Sequence, residues 1–331
     1  MRYLRIHNFH TATIPLTVIT VISYLLSIIY GDREITTFHN HSLIGSIFSD
    51  LPYLSDLVSI LLALIMVTLT SLSIYLTANK IMLDKGSLVI VPISYAFLIS
   101  FSPYSIYFNE FHIVAFLVTW AIFHVIKFRM DERNLEPLFL SIFFISVASM
   151  LWTPIIWLIV MLFLINIFTD INKLRYILIV ASGIIAPYIV LNSLIYLFGD
   201  VNDVIAIWDS FKEAITNNYH LGIKSSVECM IYLGVTILIS LIGIVRISQN
   251  ITRFKIITER AYIRIILVFI ATLVLAIIYS DNIPNGTEVI LYVPATFILI
   301  ELLSSNIKQR FAYILYALLF TSLIVSHFTI F

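Results

Sequence analysis

Two carboxylates, Asp32 and Glu34, flank Arg33 directly behind an apolar run. Carboxylates so placed can hold a divalent cation through oxygen ligands or act as a general base on a hydroxyl at a membrane surface. A solvated helix end explains the same spacing without chemistry. The stretch they open, residues 31–56 (GDREITTFHNHSLIGSIFSDLPYLSD), adds Asp50, Asp56, and His39 and His41 on either side of Asn40. Two imidazoles can ligate a metal, but no cysteine partner and no HExxH helix accompanies them. A second polar segment, SPYSIYFNEFH at 102–112, carries Glu110 and His112 around Phe111. A turn this short would keep both near the ends of neighbouring helices.

The elements that must position these residues are apolar. Of 331 residues, 60% are hydrophobic and 11% charged, with a mean hydropathy of +1.03. Soluble domains carry about 25% charged residues. Apolar runs near the length of a membrane-spanning helix recur along the chain, and they are continuous rather than alternating, which favours helices over a barrel. The sequence therefore predicts an all-α, polytopic integral membrane protein, a single transmembrane domain over residues 1–331. About eleven spans are expected, at 12–30, 57–78, 87–102, 107–126, 137–152, 154–169, 176–198, 227–245, 265–279, 289–304 and 311–331. Pro154 divides 137–169, because the residue before a proline avoids the helical region. The first run follows MRYLRIHNFH, is too long for a signal peptide and lacks a small-residue cleavage site, so it is expected to be a retained span.

The charges set an orientation. With the N-terminus inside, only Arg33, Lys212 and Lys224 of the 19 Lys and Arg residues fall in outer segments. Basic residues collect on the inner side of membrane proteins, so the N-terminus is expected inside and the C-terminus outside. Five bases lie in an inner loop at 246–264, where anionic lipid is one partner and topology alone another explanation. The outer segments are acidic: Asp32, Glu34, Asp50, Asp56, Glu110, Asp200, Asp203, Asp209, Glu213, Glu228, Asp281 and Glu288. Helical spacing of Leu43, Ile44, Ile47, Phe48 and Leu51 in the outer loop 31–56, and of Val204, Ile207, Trp208 and Phe211 in the outer loop 199–226, predicts two amphipathic helices lying in the interface.

Several classes lose support. The lone Cys229 allows no disulfide within the chain. No P-loop, dinucleotide fingerprint, GxSxG elbow or CxxC pair occurs, and nothing favours nucleic-acid binding. Charges within spans mark transport pathways. Here Glu301 and His124 lie near inner ends, His327 near the C-terminus, and no Asp, Lys or Arg falls in mid-span. Broken helices at Pro92, Pro187 or Pro294 would be the alternative sign of a transporter. A non-catalytic membrane scaffold or assembly partner fits the composition as well.

An inner N-terminus, one span, then a long outer loop that opens on GDRE and continues into an interfacial helix resembles the GT-C class of membrane glycosyltransferases. The stretch LVSILLALIMVTLTSLSIYLTANKIMLDKG, then LVIVPISYAFLISFSPYSIYF and NEFHIVAFLVTWAIFHVIKFR, and the hairpin around Trp152-Thr153-Pro154, are similar to it too. The same stretch resembles an uncharacterised family of polytopic bacterial inner-membrane proteins, which implies architecture and a location in the bacterial cytoplasmic membrane, but no activity. The GT-C resemblance covers roughly the first 200 residues. It implies a GT-C-like helical bundle that moves a sugar from a polyprenyl-phosphate donor to an outer-face acceptor. It gives Asp32 and Glu34 the role of catalytic or metal-binding carboxylates, with a divalent cation as cofactor, and Glu110 an assisting role. Arg33, His39, His41 and His112 are the expected substrate contacts. GDRE departs from the usual DE or DxD pattern, and no large outer domain follows the last span.

Overall fold

The computed structural model describes residues 17–18, 20–21, 56–81, 90–100, 107–130, 134–166, 173–198, 205, 208–209, 212, 227–278, 288–304 and 321. Among them every regular element is helical. Nine α-helices are bounded: α1 (Asp56–Lys80), α2 (Ile90–Ile99), α3 (Glu110–Met130), α4 (Glu136–Leu151), α5 (Trp157–Asn166), α6 (Lys173–Phe198), α7 (Val227–Asn250), α8 (Ile256–Ile278) and α9 (Glu288–Ser304).

Four of these stretches are long and apolar enough to cross a membrane: Leu57–Lys80, Glu110–Phe128, Leu174–Leu197 and Thr258–Ile277. A span needs about 20 apolar residues. The expected spans at 87–102, 137–152, 154–169 and 289–304 appear as shorter helices of 10, 16, 10 and 17 residues. The expected spans at 12–30 and 311–331 lie almost wholly outside the described residues. The chain breaks where proline placed the break: α4 stops at Leu151, Trp152 is extended, and a 3₁₀ turn over Thr153–Ile156 carries Pro154 into α5. Pro187 and Pro294, by contrast, lie inside continuous helices, so neither opens a break of the kind a transporter site uses.

Hydrogen bonds between helices fix their directions. The Thr258 hydroxyl donates to the Ile81 carbonyl at 3.0 Å, the Arg264 guanidinium to the Val125 carbonyl at 3.1 Å, and the Tyr262 hydroxyl to Glu301 Oε2 at 3.0 Å. The first turns of α8 thus gather the C-terminal ends of α1, α3 and α9. Those three helices run parallel and begin together at the opposite end, where the Phe108 amide donates to Ser59 Oγ at 3.0 Å. α4 returns antiparallel to α3, with Trp152 edge-on to Phe111 at a centroid separation of 5.9 Å. α6 runs beside α4, joined by Ser146 Oγ donating to the Ile184 carbonyl and by Ser149 Oγ against the Tyr188 hydroxyl at 2.7 Å.

These polar contacts also revise the basic connection expected at 246–264. Arg246 ends up inside α7 and residues 256–264 inside α8, leaving only 251–255 as a link that contains one 3₁₀ turn. Arg264, expected at the end of that inner loop, is a buried helix residue in the first two turns of a candidate span. A guanidinium is tolerated there because a neighbouring helix supplies a carbonyl acceptor.

α9 is the axis. Every residue from Glu288 to Leu302 is buried, and α1, α2, α3, α7 and α8 all pack on it. A helix that is apolar all round belongs in the middle of a bundle. α6 is the opposite case, with Leu174, Ile177, Leu178, Ile189, Val190 and Leu197 exposed, as suits a lipid-facing helix. Close approach to α9 depends on one small residue: a Cβ at Gly243 of α7 would collide with the Ile298 side chain and lie 3.2 Å from the Ile298 carbonyl oxygen. A Gly243→Ala protein is expected to lose about 1–3 kcal/mol from overpacking. Gly234→Ala, where a Cβ meets nothing within 4 Å, should be neutral or gain up to about 1 kcal/mol from helix propensity. Thermal unfolding of the two variants in detergent checks the contrast; equal melting temperatures would contradict the packing.

Candidate functional site

The end at which α1, α3 and α9 begin collects the polar residues. Asn109 precedes α3 and Glu110 is its first residue; both are buried, at 3% and 4% exposure. His112, two residues on, is 1% exposed. Its Nδ1 lies 2.7 Å from Asn109 Oδ1, and its amide donates to the Asn109 carbonyl at 3.2 Å. A separation of 2.7 Å suits N–H···O better than N–H···N, so Nδ1 carries the proton and the Asn109 Oδ1 accepts it. With Nδ1 protonated, the Asn109 backbone N–H, 3.4 Å from the same nitrogen, is not bonded to it. Phe108 stacks on the imidazole at 6.2 Å, and Phe111 faces Trp152, so the turn is pinned on both sides by aromatic rings.

Two atoms in this turn stand out. Asn109 Nδ2 and Glu110 Oε2 are buried, and neither has a hydrogen-bond partner among the described residues. One is a donor and the other an acceptor. Leaving such a group unpaired costs about 1–3 kcal/mol, and more if it is charged. The positive end of the α3 dipole favours a carboxylate at its first residue, which explains part of the placement of Glu110 but not its bare oxygen.

Glu288 is likewise a buried acid at a helix start, on α9. It is the first residue of its helix, it is 5% exposed, and it starts at the same end as Glu110 on a helix in direct contact with α3. The signal was present in the sequence: each of these acids opens an apolar run. Asn109 carried no such signal, because only the fold shows that its amide is buried.

Beyond α6, Trp208 folds back on that helix. Trp208 Nε1 donates to Asn192 Oδ1 at 3.2 Å, and its ring tilts over Tyr188 at 5.6 Å. Ile205, Trp208, Asp209 and Lys212 are helical and exposed; the rest of the amphipathic helix expected at 199–226 lies outside the described residues. Trp208 is held by α6 rather than by lipid alone.

Of the residues singled out from sequence, Glu110 and His112 are brought together here. Asp32, Arg33, Glu34, His39 and His41 lie outside the described residues, as does the amphipathic helix expected in 31–56. Among the described residues no group of three or more His, Cys, Asp or Glu is arranged to hold a metal. His124 lies at the far end of α3, its ring packed among Trp120, Phe123 and Phe144, as a core histidine. A cleft between α3, α4, α5 and α8, where Arg264 is the polar lining residue, has a volume of about 10 Å³. That is no more than one water needs, so it is not a substrate site.

No family model, curated protein or solved structure matches the chain. The His112 contact can be tested by itself. His112→Phe keeps the stack on Phe108 but removes the bond to Asn109 Oδ1. It is expected to cost about 1–3 kcal/mol in thermal unfolding; an unchanged melting temperature would show that the contact contributes nothing.

Proposed function

We propose that the protein is a GT-C-like membrane glycosyltransferase with about eleven spans, its N-terminus inside and its C-terminus outside a bacterial cytoplasmic membrane. It moves a sugar from a polyprenyl-phosphate donor in the bilayer to an acceptor at the outer face. The observation that carries this reading is the bare carboxylate oxygen of Glu110, buried at the first residue of α3. A general base must be within reach of the hydroxyl it deprotonates and must not already be spent on a protein donor. Glu110 meets the second condition, and the bundle end it occupies is the outer end in this orientation.

In the transfer step Glu110 accepts the proton of the acceptor hydroxyl as its oxygen attacks the anomeric carbon. The bond to the donor phosphate breaks, and the polyprenyl phosphate leaves with the bonding pair. Asp32 and Glu34 would supply oxygen ligands of the kind that hold a divalent cation, and such a cation would supply positive charge to the departing phosphate. Arg33, His39 and His41 are the substrate contacts in this reading, and His112 acts through Asn109, which it holds. Arg33 matters most, because bases are scarce in the outer segments.

The test is transfer from a radiolabelled polyprenyl-phosphate sugar in proteoliposomes. Glu110→Gln keeps the shape and removes the base, and is expected to lower turnover by about 10²–10⁴. Asp32→Asn should abolish the metal dependence. Full activity in Glu110→Gln, or no transfer by the wild-type protein from any such donor, would refute the reading.

A further inference from the structure

We infer that Asn109 and Glu110 act together as a hydroxyl-reading pair, and that the site's acceptor is a saccharide recognised through neighbouring hydroxyl groups; this rests on the transferase reading. Nδ2 of Asn109 is an unpaired donor and Oε2 of Glu110 an unpaired acceptor, on consecutive residues that are both more than nine-tenths buried. A hydroxyl is the neutral group that answers both needs, since it accepts from an amide N–H and donates to a carboxylate. Hydroxyl groups of one ligand can therefore answer both atoms. A phosphate or carboxylate would satisfy the amide but repel Glu110. An ammonium would satisfy Glu110 but leave the amide unpaired.

His112 makes the pair directional. It holds the Oδ1 branch of the Asn109 side chain at 2.7 Å, so the Nδ2 branch cannot turn inward to replace a missing ligand. In this arrangement His112 is a positioning residue for Asn109. The argument predicts discrimination against deoxy acceptors, because a site built to bond a hydroxyl leaves its own buried groups unpaired when the hydroxyl is missing.

The experiment uses the full chain in lipid nanodiscs, with methyl glucoside, methyl galactoside and methyl mannoside as probes. Tetrahydropyran-2-methanol, which lacks the ring hydroxyls, is the control. At least one glycoside should raise the melting temperature saturably, and the control should not. Asn109→Asp keeps an oxygen for the His112 Nδ1–H and a good helix cap, but replaces the donor with an acceptor. The new carboxylate sits beside that of Glu110, so the unliganded melting temperature is expected to fall, and binding is read against each protein's own baseline: the variant should bind the glycoside at least about tenfold more weakly, the loss expected for a missing hydrogen bond to a buried group. No stabilisation of the wild-type protein by any glycoside, or equal affinity in Asn109→Asp, would overturn the inference. The two proposals fail separately. Glycoside binding that depends on Asn109, without transfer from a polyprenyl-phosphate sugar, would keep the pair and sink the transferase. Transfer that needs Glu110 but whose acceptor KM is unmoved by Asn109→Asp would keep the transferase and sink the pair.

Discussion

Everything in this bundle depends on enclosing α9. Its residues from Glu288 to Leu302 are buried without interruption, so the helix has no face for water or lipid and must be walled by neighbours on all sides. α1, α2, α3, α7 and α8 form the wall. The Gly243–Ile298 contact shows how close the approach is, because even a methyl group would not fit. Association of helices in lipid has little hydrophobic drive, so close packing over small residues and hydrogen bonds between helices carry more of it.

The second constraint is the treatment of polar atoms. Lipid provides no partners, so hydroxyls turn back on their own helices, as Thr70, Ser73, Thr77 and Thr119 do by donating to carbonyls four residues earlier. Other polar groups reach across to neighbouring helices. Thr258, Tyr262 and Arg264, within two turns of α8, each bond a different helix. One end of the bundle is thereby tied together. Other buried polar atoms, His124 Nδ1 and Ser141 Oγ among them, also lack a hydrogen-bond partner among the described residues, but Asn109 and Glu110 place two such atoms on consecutive residues at the other end, and buried unpaired groups side by side ask for a ligand.

Those two features are linked. The tied end holds α1, α3 and α9 in a common direction, and the common direction brings Glu110 and Glu288 to the same end on packed helices. The turn before α3 is then fixed by aromatic contacts with Phe108 and Trp152, not by sequence-local hydrogen bonds alone. A rigid turn on a helix end is a better support for a reacting group than a free loop.

The class of the protein was determined by the sequence itself. Continuous apolar runs and 11% charge leave helices in a membrane as the physical solution, because unpaired backbone groups are too costly in lipid. The break at Trp152 was legible because proline acts locally, on its own ring and the residue before it. The acid opening an apolar run marked Glu110. Burial was not legible, because it depends on which helices meet. Glu288 and Glu110 look alike along the chain to many acids at helix ends, Arg264 looks like a loop base, and Asn109 looks like nothing at all. Only the tertiary structure decided that Arg264 finds Val125, that Tyr262 finds Glu301, and that the Asn109 amide is desolvated with one branch held by His112. Local chemistry is written in neighbouring residues, whereas desolvation and pairing across 39 or 139 positions exist only once the chain has folded.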